Sequence, residues 1–204
     1  MNGQYDISII IPCHNLELYI SNLLYSFYML NLDDVQAEFI FVLDACNDNT
    51  EQVIKDLMKN FDYKILTCDH HSCGFARNEG LEIAQGDLIW FVDGDDWIIN
   101  PEVIKDAIKY LNECNVPLFK LPFVSNYFHR EYYSMVWQYI FKRSLIGDIR
   151  FIKMQPSEDV FFMDEIYKVL PNTTFYHYNI PSYFYNYNRP GSNITIYRKM
   201  HNIE

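Results

Sequence analysis

The stretch LIWFVDGDDW, at positions 88–97, decides the fold and holds the first candidate site. Five apolar residues end abruptly in three carboxylates within four positions, those of Asp93, Asp95 and Asp96. Such an apolar run is typical of a strand buried on both faces, which would deliver the acids at its carboxyl end. Close carboxylates repel one another unless a cation binds them, and oxygen ligands suit Mg²⁺ or Mn²⁺. The stretch therefore predicts a divalent-metal site, and a solvated acidic turn is the alternative.

The composition limits what the chain can bind. With 204 residues, of which 50% are apolar and 17% aromatic, the chain suits a single α/β domain with a substantial core. The net charge of −11, from 27 acids and 16 bases, disfavours nucleic acid or an anionic membrane as the main partner. An acidic protein that binds a nucleotide diphosphate would need a metal ion to screen the phosphates.

The five cysteines and the N-terminus indicate the compartment. Irregular cysteine spacing without a secretion signal predicts reduced thiols in a cytoplasmic protein. The sequence lacks the run of about 18 apolar residues that a transmembrane helix needs, so we expect at most peripheral contact with the inner face of the membrane. Residues 68–73 contain two histidines and two cysteines, and a zinc site there is an alternative that the lack of a second ligand pair disfavours.

The first half of the chain alternates strand patterns with helix patterns. Strands are predicted at 7–11, 39–43, 63–67 and 88–92, and helices at 16–27, 53–61, 76–84 and 103–111. Asn15 is a candidate N-cap for the first helix, and Asp48 with Glu51 forms a capping-box pattern before the second. Four such units in series predict a Rossmann-like, mostly parallel sheet with helices on both faces.

The second half, residues 101–204, is less regular and dense in aromatic residues. It contains a predicted strand at 118–124 and a predicted helix that begins after Ser157. We interpret residues 1–204 as one domain, with a regular half at 1–100 and a smaller, irregular half at 101–204. Ligands of parallel sheets bind beyond the carboxyl ends of the strands, where the polar residues after each predicted strand converge.

Six stretches, in order, make the chain resemble the GT-A fold glycosyltransferases of family 2, which are inverting nucleotide-sugar transferases. The stretches are SIIIPCHN at 8–15, DACNDNT at 44–50, GFARNEG at 74–80, DGDD at 93–96, SED at 157–159 and the tail 187–192. The family often has tyrosine where His14 stands and an acid where Leu43 stands. The Gln-x-x-Arg-Trp motif of processive synthases is absent, so the resemblance implies one transfer per encounter.

The resemblance implies that residues 1–100 form a nucleotide-binding half and residues 101–204 an acceptor-binding half, and it implies a function and a set of site residues. The implied reaction is metal-dependent transfer of a sugar from a nucleotide diphosphate donor, a UDP-sugar by preference, to a hydroxyl of a glycan or lipid-linked acceptor, with inversion, in cell-envelope polysaccharide synthesis. The implied donor-binding residues are Pro12, His14, Asn15, Asp44, Arg77, Asp93, Gly94 and Asp95. The implied ligands of Mn²⁺ or Mg²⁺ are Asp95 and Asp93, with Asp96 beside them.

Each donor-side residue has a chemical reason and a structural alternative. The Pro12 carbonyl can accept from a base N–H, the His14 ring can stack, and Asp44 can accept from the imide N–H of uracil. The alternatives are a His14 bonded to nearby backbone and an Asp44 that caps a loop. Arg77 can fork onto a phosphate, or it can form a structural ion pair with the Asp93 cluster, and the two roles can coexist.

Asp159 is the candidate general base, because a carboxylate can take the acceptor proton as the hydroxyl attacks. Glu158 would orient the acceptor or the base, and the alternative is that both acids belong to a helix N-terminus. His177 could complete a metal shell, although an ordinary histidine is favoured there. Arg189 could close over the diphosphate. Trp97 and Trp137 could stack on an acceptor sugar, whereas most other aromatic residues are expected in the core.

Two other functions compete with sugar transfer. A sugar-phosphate nucleotidyltransferase should carry a glycine-rich, basic loop after the first strand, and residues 12–15 contain no glycine, lysine or arginine. A non-catalytic nucleotide-sugar-binding module should lose the acidic run or Asp159, and the sequence keeps both.

Overall fold

A computed structural model of the chain describes residues 4–126, 135–154, 157–170, 174–187, 189–190 and 195. The strands are β1 (Tyr5–Cys13), β2 (Ala37–Asp44), β3 (Tyr63–Cys68), β4 (Gly86–Phe91), β5 (Trp97–Ile98), β6 (Leu118–Lys120), β7 (Phe123–Ser125), β8 (Tyr139–Lys142), β9 (Tyr176–His177) and β10 (Tyr183–Tyr185). The helices are α1 (Ile20–Phe27), α2 (Thr50–Leu57), α3 (Cys73–Ile83), α4 (Val103–Glu113), α5 (Arg143–Ile146) and α6 (Glu158–Val169), with a 3₁₀ turn at Val136–Gln138.

The main sheet has the strand order β3-β2-β1-β4-β8-β6-β9. Strands β1 to β4 pair in parallel, β8 runs antiparallel to both β4 and β6, and β9 is parallel to β6. The carboxyl ends of β1, β2, β3 and β4 therefore lie at one edge, which confirms the predicted mostly parallel sheet.

Two apolar cores cover the two faces of this sheet, as predicted. Along β1, Ile9 and Ile11 face the core shared with α1, α2 and α4. Ile10, between them, faces the core shared with α3, α5 and α6. This alternation gives a strand that is apolar at every position because both of its faces are buried.

The predicted strand at 118–124 is wrong in one respect, since it is two short strands in different sheets. β6 joins the main sheet, whereas β7 joins a small aromatic sheet of order β5-β10-β7. Pro122 separates them and has no N–H to continue a ladder. Its carbonyl accepts instead from Ser182 N–H at 3.0 Å, next to β10.

The predicted helix starts also shift. Asn15 does not cap α1, because it has φ of 51° and the helix begins five residues later. Asp48 lies one residue before the N-cap of α2, and its carboxylate accepts from the backbone N–H of Thr50 at 3.1 Å and of Glu17 at 2.9 Å. The two acids of the capping-box pattern thus serve other contacts, since Glu51 pairs with Lys55.

Close backbone contact fixes the start of β4. A Cβ added to Gly86 would lie 2.4 Å from Ser8 N and 2.6 Å from Ile7 C, so only glycine lets β4 approach β1 there. Within the described part of the chain, we find no helix that combines the length and the apolar character needed to cross a bilayer.

Candidate active site

The acidic turn after β4 is packed against the first strand. The backbone N–H of Asp96 donates to the Asp93 carbonyl at 3.1 Å, which closes the turn. A Cβ on Gly94 would lie 2.5 Å from Leu16 Cδ1 and 3.5 Å from the Pro12 carbonyl oxygen. Glycine at this position therefore brings the acids close to the end of β1, and its donor-binding role stays a prediction.

Asp95 presents its carboxylate to a cation. Its Oδ2 lies 2.5 Å from Nε of Arg189, and both side chains are mostly buried. Burial raises the pKa of Asp95, and the Arg189 guanidinium acts against that rise. Arg189 also lies over the ring of Tyr19, 4.9 Å from its centroid. The structure thus places Arg189, predicted near the diphosphate, directly on a predicted metal ligand.

Asp96 is not placed as a metal ligand, and that prediction is wrong. It is 1% exposed, and its two oxygens accept from the Tyr183 hydroxyl and the Asn186 N–H, both at 2.8 Å. Burial, followed by the charges of Asp95 and Asp93, raises its pKa well above the usual value. Asp96 therefore anchors the acidic turn to the small sheet rather than facing a ligand.

Tyr183 and Asn186 were missed by the sequence reasoning. The Tyr183 hydroxyl also accepts from Asp93 N–H at 3.0 Å, so it bridges the first and last acids of the turn. No spacing pattern links position 183 to position 96. The only signal at position 183 is the aromatic density of the segment, and that density predicts core residues.

Arg77 lies in α3 and is 3% exposed. Its Nη2 donates to Asp93 Oδ1 at 2.8 Å and its Nη1 to Glu158 Oε1 at 3.1 Å. Burial alone would lower the pKa of Arg77, but Cys73 and the carboxylates around it raise the pKa well above its usual value. The structure therefore shows the ion pair of Arg77 with Asp93, and its donor-side role stays a prediction.

Glu158 and Asp159 begin α6, on the same side of the main sheet as α3. Burial raises the pKa of Asp159 to about 6, with Glu158 and Asp93 adding to the rise and Arg77 opposing it. Its Oδ1 accepts from Val160 N–H at 3.0 Å. A carboxylate with a pKa near neutrality is suited to exchange a proton at physiological pH.

The end of β2 carries Asp44, which organises the loop that follows β3. One oxygen accepts from the N–H groups of His70 and His71, at 2.6 and 3.0 Å, and the other from Ser72 N–H at 2.6 Å. Burial would raise the pKa of Asp44, yet these N–H donors lower it. His14 Nδ1 lies 2.7 Å from the Asp44 carbonyl oxygen. Both structural alternatives are thus present, and the base contacts stay predictions.

Pro12 and Asn15 flank the same end of β1. Pro12 is buried, and Asn15 Oδ1 accepts from Asn47 N–H at 2.8 Å, which ties β1 to the loop after β2. The 68–73 segment, the zinc alternative, serves instead to donate N–H groups to Asp44. Across the described ranges, no three His, Cys, Asp or Glu side chains are grouped to hold a metal ion.

Three more predicted residues lie elsewhere. His177 is an exposed residue of β9 whose ring lies 4.4 Å from that of Phe175, and β6 and β8 separate β9 from β4. Its position thus agrees with the ordinary histidine that the sequence favoured and not with a metal ligand. Trp137 is 3% exposed and stacks on Tyr183, so it belongs to the core. Trp97 is half-buried and stacks on Phe184 at 4.1 Å, and its acceptor role stays a prediction.

Two of the three acids in the turn fit the divalent-metal site that the sequence predicts. Mg²⁺ is commonly held by one or two carboxylates together with substrate phosphates, without a complete protein cage. Asp95 and Asp93 fit that arrangement, because each already binds a guanidinium cation, Arg189 and Arg77 respectively. Asp96 does not fit, since both of its oxygens are engaged with the small sheet.

Comparisons with known proteins point to one family. The model of "Glycosyl transferase family 2" matches residues 8–198. Poly(ribitol-phosphate) beta-N-acetylglucosaminyltransferase TarS of Staphylococcus aureus (strain Mu50) is 33% identical over 108 residues, 52% of this chain and 19% of that protein. A poly(ribitol-phosphate) beta-glucosyltransferase of Bacillus spizizenii is 29% identical over 119 residues, 56% of this chain and 19% of that protein. The chain thus spans about a fifth of the length of these relatives.

Solved structures show the same fold. The structure of S. aureus TarS 1–349 in complex with UDP-GlcNAc has a TM-score of 0.83 at 23% identity, covering 93% of this chain and 60% of that one. The mannosyltransferase PcManGT from Pyrobaculum calidifontis, in complex with GDP-Man and Mn²⁺, has a TM-score of 0.71 at 16% identity, covering 97% of this chain and 61% of that one. With the family match extending over almost the whole sequence and the fold in agreement, the chain belongs to glycosyl transferase family 2.

Proposed function

We propose that this chain transfers a sugar from a nucleotide diphosphate donor, a UDP-sugar by preference, to a hydroxyl of a cell-envelope polymer. The observation that carries the proposal is the single edge where the Asp93–Asp95 turn, Arg77, Glu158 and Asp159 meet. Transfer proceeds with inversion and once per encounter. The family match favours this reaction over nucleotidyl transfer.

Asp159 acts as the general base. With a pKa of about 6 it is largely ionised at neutral pH and can accept the proton of the attacking hydroxyl. Direct attack from the face opposite the diphosphate needs no covalent enzyme intermediate. Glu158 is bound to Arg77, so it supports Asp159 and does not compete for that proton.

Asp95 would hold Mn²⁺ or Mg²⁺, with Asp93 beside it, and the bound ion would stabilise the charge on the leaving diphosphate. Arg189 is a second source of positive charge at this place, because it already contacts Asp95 from the C-terminal segment. A guanidinium there matches the two-pronged geometry of a phosphate.

The base site lies at the ends of β1 and β2. The Pro12 carbonyl, the exposed His14 ring and the loop that Asp44 holds in place surround this position. The recorded complexes of structural neighbours with UDP-GlcNAc and with UDP support a uridine donor.

The names of the relatives guide the choice of acceptor. Two of them act on poly(ribitol phosphate), so a polyol-phosphate polymer is the first acceptor to test, within the wider class of glycan or lipid-linked acceptors. Location in the cytoplasm, at the inner face of the membrane, stays a prediction.

The test is a donor panel followed by a transfer assay. Thermal shifts of the purified chain are measured with UDP-GlcNAc, UDP-glucose and GDP-mannose, each with Mn²⁺ and with EDTA. The expected result is a rise for a UDP-sugar that EDTA removes. Poly(ribitol phosphate) is then incubated with that donor, and the product is analysed by mass spectrometry and by the anomeric configuration of the new linkage. A chain that binds no nucleotide sugar under any condition contradicts the proposal.

A further inference from the structure

We propose that Arg77 is a positioning residue that connects the general base to the acidic turn after β4 and does not itself contact the nucleotide-sugar donor. The inference rests on the proposed function for the identity of the base. It replaces the donor-binding role that the sequence suggested for Arg77 with a role between the two halves of the site.

The guanidinium joins two elements that meet only in the folded chain. From α3, Arg77 binds Asp93 in the turn after β4 and Glu158 at the start of α6, and Glu158 lies 81 residues away in sequence. Both Nη atoms are thereby engaged. The remaining Nε–H is buried and has no hydrogen-bond partner among the described residues. Each Nη carries a second N–H, but the side chain is only 4% exposed, so little of the guanidinium faces solvent.

Tight packing prevents the guanidinium from swinging out. Its Cζ lies 5.3 Å from the centroid of the Phe151 ring, and Phe151 stacks on Phe162 of α6 at 4.1 Å. One turn earlier in α3, a Cβ on Gly74 would lie 2.9 Å from Phe151 Cβ and 3.1 Å from Glu158 Cγ. Helix α3 therefore packs tightly against Phe151 and against the start of α6, which carries Asp159.

Glu158, which is held by Arg77, in turn fixes the backbone that carries the general base Asp159. Its second oxygen accepts from Ser157 N–H at 3.3 Å, and Ser157 has φ of 124°, a conformation that L-residues rarely adopt. The contacts of Glu158 thus hold the strained entry to α6, from which Asp159 projects as the next residue. A displacement of about 1 Å at a reacting group can cost about a hundredfold in rate.

Charge supports the same role. The charged and titratable groups around Asp159 come from three elements. They are Arg77 and Cys73 from α3, Glu158 from α6 and Asp93 from the acidic turn. Among them, Arg77 supplies the positive charge that lowers the pKa of Asp159. Without that charge, the pKa of Asp159 would rise further, and the acid limb of the rate profile would move to higher pH.

The test compares Arg77→Lys, Glu158→Gln and the double variant. UDP affinity is measured by calorimetry with Mn²⁺. Turnover is measured across pH as UDP release from UDP-GlcNAc with poly(ribitol phosphate) as the acceptor. Each single variant is expected to lower kcat by about a hundredfold while the Kd for UDP changes by about threefold or less. The double variant should be no slower than the slower single, because both changes break one connection. Arg77→Lys keeps the positive charge, so its acid limb should stay in place, whereas Glu158→Gln removes a negative charge that raises the pKa of Asp159 and should move the acid limb to lower pH.

Arg150→Lys is the matched control, since Arg150 pairs with Glu82 outside the site and should keep wild-type kcat. A loss of UDP affinity that accounts for the whole loss of kcat/KM in Arg77→Lys would overturn the inference, as would additive losses in the double variant. If Arg77→Lys does not fold by circular dichroism, Glu158→Gln decides alone, and full kcat there overturns the inference. A wild-type chain that neither binds UDP nor releases it from UDP-GlcNAc contradicts the proposed function itself.

Discussion

Residues 1–100, in which we propose that the donor binds (the donor half), and residues 101–204 (the C-terminal half) build their parts of the candidate site in different ways. In the donor half, Asp44 is held by N–H groups of the loop that follows the neighbouring strand β3, and the acidic turn packs against the end of β1. In the C-terminal half, the anchoring bonds Glu158–Arg77, Tyr183–Asp96 and Arg189–Asp95 join residues 81, 87 and 94 positions apart. Contacts between neighbouring strands and the loops that follow them therefore position the site residues of the donor half. Contacts between residues far apart in sequence position those of the C-terminal half.

In the proposed function, the general base Asp159 lies in the C-terminal half and the donor binds in the other half. Asp159→Asn should lower kcat by about a thousandfold, because the amide cannot accept the proton, while the Kd for UDP stays within about threefold. Calorimetry with UDP and initial rates with UDP-GlcNAc measure the two quantities. Asp164→Asn, an exposed change on the same helix, is the control. Retained turnover in Asp159→Asn would place the base elsewhere.

Asp95 tests the donor half in the same way. Asp95→Asn should lower kcat/KM by about a hundredfold, or about 2.7 kcal/mol of transition-state stabilisation, because the amide binds a divalent cation poorly. The Mn²⁺-dependent gain in UDP affinity should disappear as well. Wild-type protein in EDTA is the control and should match the variant. Undiminished Mn²⁺ dependence would show that Asp95 is not a ligand.

Gly86 tests how closely neighbouring strands must approach in the donor half. Gly86→Ala should destabilise the fold by about 2 kcal/mol, because the new Cβ would meet backbone atoms of β1 that cannot move aside. Gly147→Ala is the comparison, since a Cβ there meets nothing within 4 Å and the cost comes only from its φ of 51°, about 1 kcal/mol. Urea unfolding measures both. Equal costs would weaken the packing argument.

Tyr183 tests whether long-range contacts hold the acidic turn. Tyr183→Phe should cost about 1–2 kcal/mol of stability, because buried Asp96 loses a hydrogen-bond partner and Asp93 N–H loses its acceptor. Tyr25→Phe, on the exposed face of α1, should cost nothing measurable. Thermal and urea unfolding of both variants give the difference, and a neutral Tyr183→Phe would contradict the anchoring role of the small sheet.

Asp44 gives the smallest effect and a pH signature. Its pKa is lowered in the folded chain, so the carboxylate stabilises the fold above its unfolded pKa of about 3.9 and loses that contribution as the pH falls through the folded value. Asp44→Asn should cost about 1 kcal/mol at pH 7, through the lost acceptor for Ser72 N–H, and less in acid. Urea midpoints at pH 7 and pH 3 measure this. Asp33→Asn is the exposed control, and a pH-independent difference would contradict the assignment.

The sequence by itself determined the donor half closely. Apolar runs place all four parallel strands to within two residues of their observed ends. The ends of these strands carry Asp44, Asp93 and Asp95 to one edge, as predicted. Strand burial and parallel pairing follow from local periodicity, which a single sequence displays directly.

Only the tertiary structure decided which of two adjacent acids in the turn faces a cation and which is buried by hydrogen-bond partners. Asp95 and Asp96 are adjacent in an acidic turn, yet one faces Arg189 and the other is sealed by Tyr183 and Asn186. The core position of Trp137 and the remote position of His177 are equally invisible in the sequence. These outcomes depend on contacts between residues far apart along the chain, and no local pattern encodes which distant side chain will arrive.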